Sequence, residues 1–164
     1  MEESNKQLKK NNKDLETKVT ELEKEALKLD DWSNLIGCAD YNVLNDSTRK
    51  TTFYSEESKD RTCDNIQIAQ RLSPDWKGEG WYRVIEPAGT KLADTLLNDN
   101  HCGTVGARYV QGSHPTNFGE TVFTKACYRK HCEQPQDIKI RNCGKYFLYY
   151  LPETSSCWQG YCTV

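Results

Sequence analysis

Eight cysteines, all lying between positions 38 and 162 of a 164-residue chain, constrain this sequence more than any other feature. An even count at this density marks a disulfide framework made in an oxidising compartment. The opening residues, MEESNKQLKK, hold no apolar signal core, so the expectation is a true amino terminus upstream of Met1 and an extracellular or secreted protein. No apolar run nears the roughly 18 residues that a membrane span requires. A formal net charge of −2 supplies no global attraction to nucleic acid or to an anionic membrane.

The cysteine-free start follows a heptad. Leu8, Leu15, Leu22 and Leu29 recur every seven residues at d, which places Asn5, Asn12, Val19 and Ala26 at a. This pattern predicts a coiled-coil oligomerisation helix over 1–31, roughly 45 Å long at 1.5 Å per residue. Its seam of Leu8, Leu15, Val19, Leu22 and Leu29 closes only against copies of itself, so the expected partner is self, as a homodimer or homotrimer. Asn at a favours a parallel dimer. KVTELE (18–23) resembles the motif of short trimeric coils, with Lys18 placed to reach Glu23 of a neighbour, and the reading leans to the trimer.

From Asp31 onward the pattern becomes that of strands. IKIR (138–141) alternates apolar and basic residues, and KYFLYYL (145–151) is a short apolar and aromatic run suited to a strand buried on both sides. GWYRVIE (80–86) and ARYVQG (107–112) are further strands. EPAGT (86–90), LNDNH (97–101) and GSHPTNFG (112–119) read as turns between them. The expected fold is mainly β, a small disulfide-stapled β domain over 35–164 preceded by an N-terminal α-helical coiled coil.

CYRKHC (127–132) admits three chemistries. A structural zinc site shows two close cysteine pairs or a cysteine pair followed by a histidine pair. Here His101, His114 and His131 stand singly and the remaining cysteines would need a separate explanation. A cysteine nucleophile needs an unpaired thiolate, a base and an orienting group. With an even count, one free thiol strands another, and no glycine-rich phosphate loop, G-x-S-x-G or H-E-x-x-H occurs. A staple across four intervening residues closes a hairpin-sized loop and leaves Arg129, Lys130 and His131 on its tip, which accounts for more of the sequence. No catalytic residue, metal ligand or cofactor is expected.

Six stretches then occur in register: CADYNVLNDSTRKTTF (38–53), GWYRV (80–84), NHCGT (100–104), VQGSHP (110–115), KACY (125–128) and CGKYFLYYL…CWQGYCT (143–163). Together they resemble the eight-to-ten-cysteine domain shared by uromodulin, the pancreatic zymogen-granule membrane glycoprotein and the liver zona-pellucida-type protein. The resemblance runs from about Leu35 to the end, and the heptads lie outside it. It implies an extracellular, non-enzymatic domain with Cys38 bridged to Cys143, Cys63 to Cys157, Cys102 to Cys162 and Cys127 to Cys132. Relatives carry N-glycans on this domain that act as decoys for bacterial lectins. This chain departs there: Gln111 stands at one family sequon and Tyr150 with Pro152 at another. The standard sequon that remains is Asn45-Asp46-Ser47.

For ligand contact the candidates are Trp81 and Arg83, as an aromatic platform beside a cation, and His114 and Asn117 in the polar, glycine-bounded loop 112–119. A strand that sends Trp81 into the core under Arg83 is the competing reading. Phe147, Tyr149 and Tyr150 are expected in a buried strand, and Trp158 against a bridge. The function these features imply is a non-enzymatic extracellular binding module, multiplied by the coiled coil for recognition of glycans, a microbial surface or a protein ligand. The alternative is a structural or assembly component of an extracellular coat or matrix.

Overall fold

The computed structural model describes residues 2–54, 63–68 and 72–164, with the helix side chains of 4–26, 28 and 34. Two compact units divide the chain, Met1–Ala39 and Asp40–Val164.

The first unit is one helix, α1 (Glu2–Leu35), continuing four residues past the last heptad position at Asp31. Leu8, Leu15, Val19 and Leu22 are 52–63% exposed in the single chain, an apolar stripe on an otherwise polar helix. The side chain of Leu29 lies outside the described residues.

The second unit is built on a seven-stranded sheet. Its strands are β1 (Asn42–Leu44), β2 (Gly80–Val84), β3 (Gly106–Val110), β4 (Thr121–Tyr128), β5 (Glu133–Asn142), β6 (Phe147–Leu151) and β7 (Gln159–Tyr161). Their order is β1-β2-β6-β5-β4-β3-β7, with β1 parallel to β2, β7 parallel to β3, and the other pairs antiparallel. IKIR falls in β5, while the expected strands KYFLYYL, GWYRVIE and ARYVQG are each cut short, FLYYL forming β6, GWYRV forming β2 and ARYV falling in β3. The strands β1, β4 and β7 were not expected.

Register sorts the side chains. Tyr82, Tyr149, Ile140 and Val122 are opposed across β2, β6, β5 and β4. These positions form the inner face, joined in the core by Leu44, Trp76, Val84, Leu92, Ile138, Leu151 and Tyr161. Trp76 stacks on Tyr82 with ring centroids 4.8 Å apart, and its indole N–H donates to Glu153 Oε2 at 3.1 Å. Tyr82 is fully buried because its hydroxyl is satisfied, donating to Gly78 O (2.6 Å) and accepting from Lys77 N–H (2.9 Å). The competing reading of GWYRV is thereby corrected. Tyr82 enters the core, and Trp81, one residue away, takes the opposite face. In β6, Leu148 and Tyr149 are both fully buried, as a strand covered on two sides requires, but Tyr150 is only half-buried.

A charged cluster lies within this unit. Arg49, in the 3-10 turn Ser47–Arg49, is 3% exposed and forks onto Asp64, with Nη1 to Oδ2 and Nη2 to Oδ1 both at 2.8 Å. It also donates to Asp75, whose Oδ2 accepts the backbone N–H groups of Asn45 (2.8 Å) and Asp46 (2.9 Å). Asp64 Oδ2 further accepts Tyr161 N–H at 2.8 Å. A turn, two loop carboxylates and the last strand are thus tied through one guanidinium.

Cys63 is bonded to Cys157, Cys102 to Cys162 and Cys127 to Cys132. Cys38 and Cys143 are disulfide-bonded as well, so no cysteine is free.

Candidate functional site

CYRKHC forms the tip of the β4–β5 hairpin. Arg129 and Cys132 take positive φ values of 55° and 51° at the reversal, and Cys132 N–H donates to Arg129 O at 3.1 Å. Arg129 is held rather than displayed: its guanidinium pairs with Asp99 at 2.8 Å and lies 4.5 Å over the Tyr128 ring. Lys130 and His131 remain exposed. Among the described residues no group of three or more His, Cys, Asp or Glu could hold a metal ion, and no helix is long and apolar enough to cross a membrane.

The outer face of the sheet is different in character. Because side chains alternate along a strand, residues next to the inner row form a second row on the opposite side. Trp81, Tyr150, Lys139 and Phe123 stand directly opposite one another across β2, β6, β5 and β4. The Trp81 and Tyr150 rings meet edge-on at 5.6 Å. Lys139 Nζ sits between two rings, 5.0 Å from Tyr150 and 5.6 Å from Phe123. Phe123 is 78% exposed, a large apolar ring left in water. Such contacts between aromatic rings and cations are each worth roughly 0.5–1 kcal/mol at exposed sites.

The neighbouring row carries Arg83, Leu148, Arg141 and Thr121 in the same register. Arg141 lies 4.5 Å over Trp81 and donates through Nε to Thr121 Oγ1 at 3.0 Å. Arg83 lies 3.9 Å over the Tyr146 ring and donates to Tyr41 Oη at 3.1 Å. These two rows of the four strands therefore hold Arg83, Arg141 and Lys139 and no carboxylate. Carboxylates stand at the margin, where Asp137 binds Lys125 at 2.7 Å and Glu79 accepts from Tyr150 Oη at 2.6 Å. The Glu79 hydrogen bond raises the Tyr150 phenol above its ordinary value.

Trp81 and Arg83, two of the candidates for ligand contact, share this face, whereas His114 and Asn117 do not. The His114 side chain is buried, with its ring 4.7 Å from Phe147 and its Nε2 2.9 Å from Tyr149 Oη. Its Nδ1 is 3.3 Å from Asp94 Oδ2, without the alignment of a hydrogen bond. Burial holds His114 below its ordinary pKa, outweighing the opposing pull of Asp94. The N–H and side-chain amide of Asn117 are both taken up by Glu120 Oε2 at 3.2 Å. Asn45 is exposed, while the following Asp46 accepts Thr48 N–H to cap the 3-10 turn. Trp158 is half exposed, and its carbonyl accepts Gly106 N–H and the Thr104 hydroxyl.

Sequence reasoning missed Phe123, Lys139, Arg141 and Tyr150 as members of one surface. Three lay in recognised strands, but Phe123 belongs to β4, whose inward residues Val122, Thr124 and Ala126 are too small or polar to declare a core face.

Residues 82–163 match the uromodulin-like domain family. The pancreatic secretory granule membrane major glycoprotein GP2 of Rattus norvegicus is 30% identical over 135 residues, covering 77% of this chain and 22% of that protein. Its Mus musculus counterpart is 29% identical over 133 residues, at 77% and 23% coverage. Uromodulin of Rattus norvegicus is 32% identical over 88 residues, covering 51% of this chain and 14% of that protein. The chain thus spans less than a quarter of the length of these relatives. A matched segment that runs from the middle of β2 through β7 with six of the eight bonded cysteines is the substance of the likeness, and the chain belongs to the uromodulin-like domain family.

Proposed function

We propose that this protein is a non-enzymatic extracellular binding module whose recognition surface is the outer face of the sheet and whose valency comes from self-association of α1. The observation that carries the reading is the row Trp81–Tyr150–Lys139–Phe123, which gathers aromatic and cationic side chains on one face of a disulfide-stapled domain and leaves Phe123 78% exposed beside three half-buried neighbours. Exposed apolar groups cost solubility, and aromatic residues with arginine are the side chains over-represented where proteins bind. Membership of a family whose relatives include a secretory granule membrane glycoprotein supports the extracellular placement.

The heptad helix supports the second half. Its exposed Leu8, Leu15, Val19 and Leu22 have no core of their own in a single chain, and two or three copies would close the seam. Joining weak sites this way raises apparent affinity by roughly 10²–10⁴ against a repeating target. A glycan-array comparison of the full chain with a Leu15→Asn/Leu22→Asn variant tests both halves. The module reading expects reproducible binding that weakens at least tenfold in the variant. A coat or matrix spacer expects no binding from either.

A further inference from the structure

We propose that Asn5 and Asn12 make the assembly of α1 parallel and in register, so that each helix pairs with a second copy of this chain running the same way. The inference rests on the self-association half of the binding-module reading and names the orientation of that partner.

Asn5 and Asn12 stand at a on the stripe whose Leu8, Leu15, Val19 and Leu22 are 52–63% exposed. Asn12, Leu15 and Val19 frame a shallow depression there with Glu16 and Thr20. Other polar groups of the helix find partners along it. Gln7 Nε2 donates to Asn11 Oδ1 at 3.2 Å, and the Thr17 and Thr20 hydroxyls donate to Lys13 O and Glu16 O, both at 2.9 Å. Among the described residues, the side-chain amides of Asn5 and Asn12 take no partner within the chain. Water serves them while the stripe is exposed. Closing the seam removes that water, and a buried amide left unpaired is costly.

Orientation decides whether they are paired. In a parallel, in-register coil like positions meet, so Asn12 faces its own counterpart, and each amide offers the other both a donor and an acceptor. In an antiparallel coil a layers face d layers. Every d is leucine, so any antiparallel register sets Asn12 against an apolar side chain. At full overlap the layers are Asn12 with Leu22, Val19 with Leu15 and Ala26 with Leu8. Flanking charges come out nearly even. The parallel coil gains Lys18 with Glu23 and sets Glu25 against an acid; the antiparallel coil gains Lys9 with Glu23 and sets Lys18 and Glu16 against their own counterparts. The amides therefore make the choice. A third copy does not alter it, because a closed three-fold ring is parallel by symmetry.

Pyrene attached to Ser4→Cys reads the orientation in the full chain, which has no free cysteine of its own. Parallel helices bring the labels together and give excimer emission, whereas full antiparallel overlap holds them about 40 Å apart and gives none. Light scattering on the same sample reports assembly. Asn5→Leu/Asn12→Leu should assemble about tenfold more tightly and lose most of the excimer signal, because a polar residue at a specifies register at a cost in stability. Lys18→Glu should weaken assembly about tenfold, and Lys18→Glu/Glu23→Lys should restore it. In an antiparallel coil the single change is neutral and the double change adds repulsion. An assembled wild type without excimer emission, an Asn5→Leu/Asn12→Leu variant that keeps its full signal, or a charge exchange that assembles less than Lys18→Glu overturns the orientation and leaves a multivalent module. A chain that stays monomeric in light scattering overturns the multivalent reading with it.

Discussion

Arg49 and Asp64 meet in a two-pronged ion pair sealed from water, their side chains 3% and 0% exposed. Burial alone would drive the guanidinium toward its neutral form, yet the Asp64 and Asp75 carboxylates hold its pKa above the ordinary value. The pair is a fastener because each partner is uncompensated without the other. Asp64→Asn should therefore destabilise the domain by about 3–5 kcal/mol, read as a lowered urea midpoint under non-reducing conditions. A loss below about 1 kcal/mol would mean that the network is solvated.

Acid should loosen the same cluster through Asp75. Burial acts to raise its pKa, but the hydrogen bond and charge of Arg49 win and depress it. A carboxyl depressed in the folded state contributes stability that is complete above the unfolded value of about 3.9 and is lost as pH falls through the folded value. His114 works in a higher window with the same sign. Its pKa is depressed by burial, so its contribution is complete above about 6.5 and declines as pH falls toward the folded value, at up to about 1.4 kcal/mol per pH unit. Urea midpoints at pH 7.5 and 5.0 should differ in the wild type, and His114→Gln should reduce the difference. An undiminished difference would place the titration elsewhere.

These clusters also mark where reading from the sequence stops. Period-two alternation in IKIR and the apolar run in KYFLYYL disclosed β5 and β6, because a strand with one or two buried faces leaves that imprint. Three-residue strands such as β1 and β7 are too short to carry a period. In GWYRV both Trp81 and Tyr82 are apolar enough for the core, and the choice is made by how the chain just before the strand folds back, Trp76 meeting the Tyr82 ring and Lys77 and Gly78 its hydroxyl. Buried arginines are illegible because their partners are far away in the sequence. Arg49 depends on acids at 64 and 75, and Arg108, 1% exposed, on Gln159 and on the carbonyls of Ala126 and Gln134. The loop 112–119 reads as polar and exposed, but folding turns His114 inward onto Tyr149.

Adjacent residues on β4 and β5 should respond oppositely to truncation. Ile140 is fully buried beside Tyr149 and Val122, and Ile140→Ala should cost about 2–5 kcal/mol. Phe123, on the other face of the same pair of strands, should tolerate alanine within about 0.5 kcal/mol. Chemical denaturation of the two variants checks the assignment of faces, and comparable losses would reverse it.

The bridges should differ in worth by loop length. Cys63–Cys157 spans 94 residues and Cys127–Cys132 spans 5. Loop-closure entropy predicts a loss of about 4.7 kcal/mol when the first pair is changed to serine and about 2 kcal/mol for the second. Mass spectrometry after alkylation of the native wild type should find all eight thiols blocked. Uptake of alkylating agent without unfolding would remove the framework on which the sheet is built.

Multivalency is the claim that joins the two units, and light scattering coupled to size exclusion tests it directly. The account predicts two or three times the chain mass of 18.9 kDa, falling to a single chain for Leu15→Asn/Leu22→Asn. A wild-type chain that elutes as an 18.9 kDa monomer at micromolar concentration would contradict it.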